Sequence, residues 1–137
     1  MASRAPVSRA SAGANVVDSS GWLEYMDDGP NAEVFESAIL AVERLLVPTI
    51  SLYEVFKKVL RDTGEEEALA LVGQMRQATV IDLDATLALE AGKLGVDLQL
   101  PLADSIILAT ARAHQATLWT QDEHFNGIPG VQYIPKR

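Results

Sequence analysis

The sequence predicts an α/β domain built on a mainly parallel sheet. Three observations support this. Short apolar runs of four or five residues recur along the chain. Longer segments between them carry apolar residues at helical spacing. The first run stops at an acid, Asp18, and another acid, Asp122, lies just beyond the end of a later run, "ATLWT". Strands alternating with amphipathic helices give parallel sheets, which bind ligands beyond the carboxyl ends of their strands.

Taken in order, "NVVD" (15–18) reads as a strand that stops at an acid, and "SSGWLEYMDD" (19–28) as a helix. "NAEVFESAILAVERL" (31–45) has a regular apolar stripe and is predicted helical throughout; "LLVP" (45–48) is the second strand. In "SLYEVFKKVLRD" (51–62), Leu52, Val55, Phe56, Val59 and Leu60 share one helical face. "EEEALALVGQMRQ" (65–77) is helical, "TVIDL" (79–83) a strand, and "DATLALEAGKLGV" (84–96) and "PLADSIILATARAHQ" (101–115) are helices. "ATLWT" (116–120) and "GVQYI" (130–134) complete the strands.

Length and composition limit the options. A chain of 137 residues fits one domain around one core, and no apolar run is long enough to span a bilayer, so a cytoplasmic protein is expected. Cysteine is absent, which excludes disulfides, zinc–thiolate sites and thiol nucleophiles. Two histidines, His114 and His124, are too few for a histidine-rich metal site. A net charge of −8 argues against a broad basic surface for nucleic acid, and permits acids that bind hard cations such as Mg²⁺. Residues 1–14, "MASRAPVSRASAGA", carry Arg4 and Arg9 and no acid, and are expected to be a disordered extension or an expression leader. The domain is expected to run from 15 to 137.

Four acids stand out by position. Asp18 ends the first strand, Glu54 lies in the first turn of the helix after the second, Asp104 lies in the first turn of the helix before "ATLWT", and Asp122 lies just beyond that strand's end. In a parallel sheet these positions converge on one edge. Three of them also have ordinary explanations. Asp18 fits a helix cap; Glu54 completes Ser51-x-x-Glu54 and lies opposite its apolar stripe near Lys58 and Arg61; Asp122 precedes Glu123 in a possible Thr120-x-x-Glu123 box. Asp104 lacks such an explanation. It aligns on the helical wheel with Ile107, Leu108 and Ala111, an inward face. Helix-dipole stabilisation of roughly 0.3–1 kcal/mol is small against burial of an unpaired charge. Converging carboxylates raise each other's pKa, and divalent cations resolve that repulsion while leaving positions for a phosphate and water.

The fragments "VVDSSGWLEY", "PTISLYEVFKKV", "LPLADSIILATARAHQATLWTQDEHF" and "GIPGVQYI" resemble, in order and spacing, PIN-domain proteins, especially VapC-type toxins of prokaryotic toxin–antitoxin modules. The resemblance covers the chain after residue 14. It implies a three-layer α/β/α sandwich with a central mainly parallel sheet, and an endoribonuclease dependent on Mg²⁺ or Mn²⁺. Asp18, Glu54, Asp104 and Asp122 match the family's metal-holding acids, Thr120 the supporting hydroxyl, and Ser19 a further supporting residue. Where some relatives carry another acid, this chain has His124, expected to be solvated. The implied substrate is RNA, tRNA or ribosomal RNA, with translation blocked. The implied partners are a VapB-like antitoxin and a second copy in a homodimer, with "VFESAILAVERLL" and "SLYEVFKKVL" offering apolar surface. Lys57, Lys58, Arg61, Lys93 and Arg112 are candidate RNA contacts. Two other readings are a phosphohydrolase with Asp18 as nucleophile and a non-catalytic PIN-like binding module. The first lacks a second acid two residues after Asp18, and the second usually loses acids that are all present here.

Overall fold

The computed structural model describes residues 13–137. Most of the expected leader, residues 1–12, lies outside the described residues. Ala14, expected to belong to that leader, is buried in the core, and its carbonyl accepts the Thr117 N–H at 2.9 Å.

Five strands, β1 (Asn15–Val17), β2 (Leu45–Pro48), β3 (Thr79–Ile81), β4 (Thr117–Thr120) and β5 (Val131–Tyr133), form one sheet in the order β3-β2-β1-β4-β5. Every neighbouring pair is parallel. Six α-helices make the connections: α1 (Ser19–Met26), α2 (Ala32–Leu40), α3 (Thr49–Asp62), α4 (Glu65–Met75), α5 (Ala85–Leu98) and α6 (Leu102–Ala113). Short 3₁₀ turns occupy Val42–Arg44 and Glu123–Phe125.

The period-two alternation of a strand sends neighbours to opposite faces. Val17, Leu45 and Val47 meet Trp22, Phe35, Ile39, Val55 and Met75 from α1 to α4 on one face. Val16 and Leu118 meet Ile107, Leu108 and Ala111 of α6 on the other, with α5 packed outside through Leu87 and Ala91. The result is the expected α/β/α sandwich. Most apolar positions of "VFESAILAVERLL" and "SLYEVFKKVL" therefore face the interior, while Leu40, Val42, Tyr53 and Leu60 remain exposed. No single helix among the described residues is long and apolar enough to cross a membrane.

Connections from β1 proceed outward to β2 and β3, then return across the sheet to β4 on the other side of β1. The chain reverses its order between β1 and β4. That switch point opens a crevice outside the two carboxyl ends, where ligands bind in such sheets.

Two local expectations are corrected. The apolar stripe predicts one helix over 31–45, but α2 stops at Leu40. Ala41 leaves the helical region (φ −82°, ψ 65°), because Leu45 and Leu46 pair with Asn15 and Val16 as strand. Ser51 does not cap a helix at Glu54. α3 starts at Thr49, directly after Pro48, and Ser51 is buried inside it with its hydroxyl unpartnered among the described residues. Pro48 is suited to this entry, since a helix's first residues need no N–H partner.

Gly21 permits the close approach of α1 to the sheet. A Cβ there would lie 2.6 Å from Phe35 Cδ1 and 2.7 Å from Val17 Cγ1. Helix propensity favours Gly21→Ala by about 1 kcal/mol, whereas overpacking costs about 1–3 kcal/mol. We expect the substitution to lower the denaturation midpoint in urea; an unchanged or higher midpoint would show that Phe35 yields freely.

Candidate metal centre

The crevice is built from strand ends and helix starts. β1 and β4 run in register with Val17 opposite Trp119, and the Asp18 N–H donates to the Trp119 carbonyl at 2.9 Å. Asp18 and Thr120 therefore emerge side by side. Asp18 is the N-cap of α1, Asp122 the N-cap of the Glu123–Phe125 turn, and Asp104 lies in the first turn of α6. Each of the three lies where helical N–H groups favour negative charge. Glu54 arrives from the second turn of α3, which follows β2 without a loop.

Hydroxyl groups hold these acids. Thr120 Oγ1 donates to Asp18 Oδ2 at 2.9 Å and accepts the Asp122 N–H at 2.9 Å, tying two acids together. Ser20 Oγ donates to the same Asp18 oxygen at 2.7 Å. Ser19 Oγ donates to Glu54 Oε1 at 2.7 Å. The two serines thus divide between two acids. Ser20 went unnoticed in the sequence, although an Asp followed two residues on by Ser at a helix start is a recognisable capping signal.

His124 closes the other side. Its N–H donates to Asp122 Oδ1 at 2.9 Å, which turns the ring inward. Nδ1 then lies 3.0 Å from Asp122 Oδ1 and 3.3 Å from Asp104 Oδ2. The expected solvated histidine is only half so: its side chain is 57% exposed, yet one ring nitrogen faces the acids.

The electrostatics are those of uncompensated negative charge. Burial raises the Asp18 pKa, Asp122 pushes it further, and the hydroxyls of Ser20 and Thr120 pull it back. Burial also raises Glu54, against the Ser19 hydrogen bond, with Asp18 and Asp122 adding to the rise. Asp104 is displaced to about 7, by burial first, then by Asp122 and Asp18, with His124 opposing. His124 is raised, mainly by Asp122. Among the described residues, no lysine or arginine pairs with any of the four acids; the ion pairs of Asp104 and Asp122 are with His124.

The donor set fits a divalent cation. Within the described residues, Asp18 is hydrogen-bonded only through Oδ2, Glu54 only through Oε1 and Asp122 only through Oδ1, while Asp104 meets His124 through Oδ2. Each acid is anchored by one oxygen and keeps the other. Asp104, Asp122 and His124 also offer ligand atoms that all lie within 4.8 Å of one another. Oxygen-rich donors of this kind suit Mg²⁺ or Mn²⁺.

A sign follows for the metal-free protein. Asp104 binds its proton more tightly folded (about 7) than unfolded (3.8), so stability falls as pH rises from about 4 to about 7. Asp18 and Glu54 act in the same direction. His124 does too: its contribution is complete below 6.5 and is lost as pH rises through its elevated value. Melting temperatures in chelator should decline over this window. Asp104→Asn should flatten the decline and stabilise the protein at pH 8 by on the order of 2 kcal/mol. A melting temperature that rises from pH 5 to pH 8 would contradict the charge balance described.

Comparison with known proteins bears on the fold and the family. The family model of the PIN domain matches residues 16–131. No curated protein sequence gives a significant match. Among solved structures, a toxin–antitoxin complex from Klebsiella pneumoniae is 23% identical, with a TM-score of 0.73, covering 90% of this chain and 100% of that one. DNA-bound VapBC from Salmonella typhimurium is 21% identical, with a TM-score of 0.72 and coverages of 90% and 98%. VapC20 from Mycobacterium tuberculosis, a sarcin–ricin loop cleaving toxin, is 17% identical, with a TM-score of 0.71 and coverages of 85% and 95%. Fold, switch-point crevice and family model converge, and the chain belongs to the PIN-domain family.

Proposed function

We propose that this chain is a VapC-type endoribonuclease toxin that hydrolyses RNA phosphodiester bonds with Mg²⁺ or Mn²⁺. On this reading it blocks translation in the cytoplasm, works as a homodimer and is held inactive by a VapB-like antitoxin. The observation that carries the proposal is the crevice itself. Asp18, Glu54, Asp104 and Asp122 lie at one edge of the sheet, with Asp104 and Asp122 in a close group with His124, and none is paired with a lysine or arginine among the described residues. The toxin–antitoxin neighbours support the partner, and the sarcin–ricin loop cleaving neighbour supports an RNA substrate.

The four acids would hold the cation. When bound, it supplies charge neutralisation at the phosphodiester and makes a water more acidic. The chain's own residues set the geometry for this. Thr120 and Ser20 fix the Asp18 carboxylate from one side, so its other oxygen points in a fixed direction. Ser19 does the same for Glu54 across the crevice. Both serine hydroxyls donate to carboxylates and neither bonds a histidine, which disfavours a serine nucleophile. Asp18 is deeply buried, and Ser20 stands where a phosphohydrolase of the aspartyl-phosphate type needs a second acid, so that alternative is weaker.

Substrate approach is favoured on the Glu54 side. Of the five candidate cations, Lys58 and Arg61 pair with Asp62, Lys93 pairs with Asp97, and Arg112 donates to the Pro129 carbonyl. Lys57 has no acid partner among the described residues. Its Nζ lies 5.5 Å from the ring centre of exposed Tyr53 and 3.3 Å from the Tyr53 hydroxyl. Tyr53, Glu54 and Lys57 line one cleft of about 240 Å³. A cation and an exposed aromatic face beside a metal-holding acid suit a phosphate and its base.

Two experiments test the reading. Sequencing of RNA ends after brief expression should reveal discrete cleavage sites, and Asp104→Asn should reduce them by about a hundredfold or more while the protein stays folded. An absence of metal-dependent cleavage by the wild type across broad RNA substrates, or an equally active variant, would overturn it. Lys57→Glu should weaken RNA binding and lower the slope of log affinity against log salt by about 1, with the fold intact. An unaltered slope would move the substrate path elsewhere.

A further inference from the structure

The site contains one donor of a different kind. Three features of His124 fix its place: its position two residues after Asp122, the 2.9 Å bond from its N–H to Asp122 Oδ1, and the inward Nδ1. One carboxylate oxygen therefore sets both the backbone and the ring. Neighbouring ligands of an octahedral cation with bonds of 2.0–2.1 Å lie ~2.9 Å apart. Without a metal, Nδ1 faces Asp122 Oδ1 at 3.0 Å and Asp104 Oδ2 at 3.3 Å as a protonated ring does; when a cation takes the place of that proton, the Nδ1 lone pair lies beside both carboxylates at close to ligand spacing. A ring nitrogen so placed can share a coordination shell with both acids without rearrangement of the turn.

We infer that His124 is a metal ligand, donating Nδ1 beside Asp104 and Asp122, and that it tilts the site from Mg²⁺ toward Mn²⁺. The inference rests on the metal-dependent reading above and concerns which cation is selected. Mg²⁺ prefers oxygen donors and retains its waters, so an imidazole adds little to its binding. Mn²⁺ accepts nitrogen more readily, and other divalent metals of the first transition row do so more strongly still.

The test uses the full-length protein without a histidine tag. Pulsed EPR of the Mn²⁺-loaded wild type is expected to show the nitrogen hyperfine coupling of a directly bound imidazole. His124→Gln should abolish this coupling, and His114→Gln should leave it intact, since His114 lines a separate cavity with Asp82, Asp84 and Glu90. Calorimetric titrations should show the preference for Mn²⁺ over Mg²⁺ falling about tenfold in His124→Gln. Bound Mn²⁺ without nitrogen coupling, or an equal loss of affinity for both cations, overturns the histidine assignment and leaves the carboxylate site standing. Failure of the wild type to bind Mn²⁺ or Mg²⁺ at millimolar concentration overturns the metal site itself.

Discussion

Like-charge repulsion at one edge of the sheet sets the terms for the rest of the molecule. Parallel strands point their carboxyl ends the same way, and β1 and β4 are neighbours, so Asp18 and Asp122 emerge together. Glu54 and Asp104 are delivered to the same edge by the starts of α3 and α6. The fold answers this charge with hydroxyls, helix N-termini and one imidazole. Helix termini contribute about 0.3–1 kcal/mol each, and a hydrogen bond to a charged group about 1.5–3. These offsets do not suffice, because Asp104 still titrates near 7 and Asp18 and Glu54 stay raised. The remaining charge calls for a proton, a bound cation or a basic group from another molecule.

Much of this was legible in the sequence because it depends on backbone direction. The apolar strands are short and the helices between them long, so their order implies which ends face the same way. Asp104 was legible for a second reason: it shares a helical face with Ile107, Leu108 and Ala111, all buried. What escaped notice depends on short-range geometry. Ser19 and Ser20 are adjacent and chemically identical, yet one bonds Glu54 and the other Asp18. Helical rotation of about 100° per residue decides that division. His124 was equally ambiguous, since its ring direction follows from the 3₁₀ turn at Asp122.

Propensity misled where tertiary pairing won. The stripe in 31–45 is periodic to its end, but Leu45 and Leu46 gain more as strand partners of Asn15 and Val16 than as a further helical turn. The Ser51-x-x-Glu54 pattern matches a capping box in letters alone. Pro48 begins the helix earlier, which buries Ser51 and sends Glu54 into the crevice, hydrogen-bonded to Ser19.

The net charge of −8 then takes on a local meaning. An acidic chain repels an RNA backbone at long range, and three of its eleven cations, Lys58, Arg61 and Lys93, are bound to acids on their own helices. On the proposed reading, a bound cation would add to the attraction for phosphate that Lys57 offers. On the same reading, a cation held at this edge would let a phosphodiester approach the most negative part of the sheet. The repulsion among these acids would then be free energy that a bound cation recovers. Anything else that neutralises the edge, whether a proton on Asp104 or a basic side chain of a bound partner, draws on that free energy and competes with the cation by linkage.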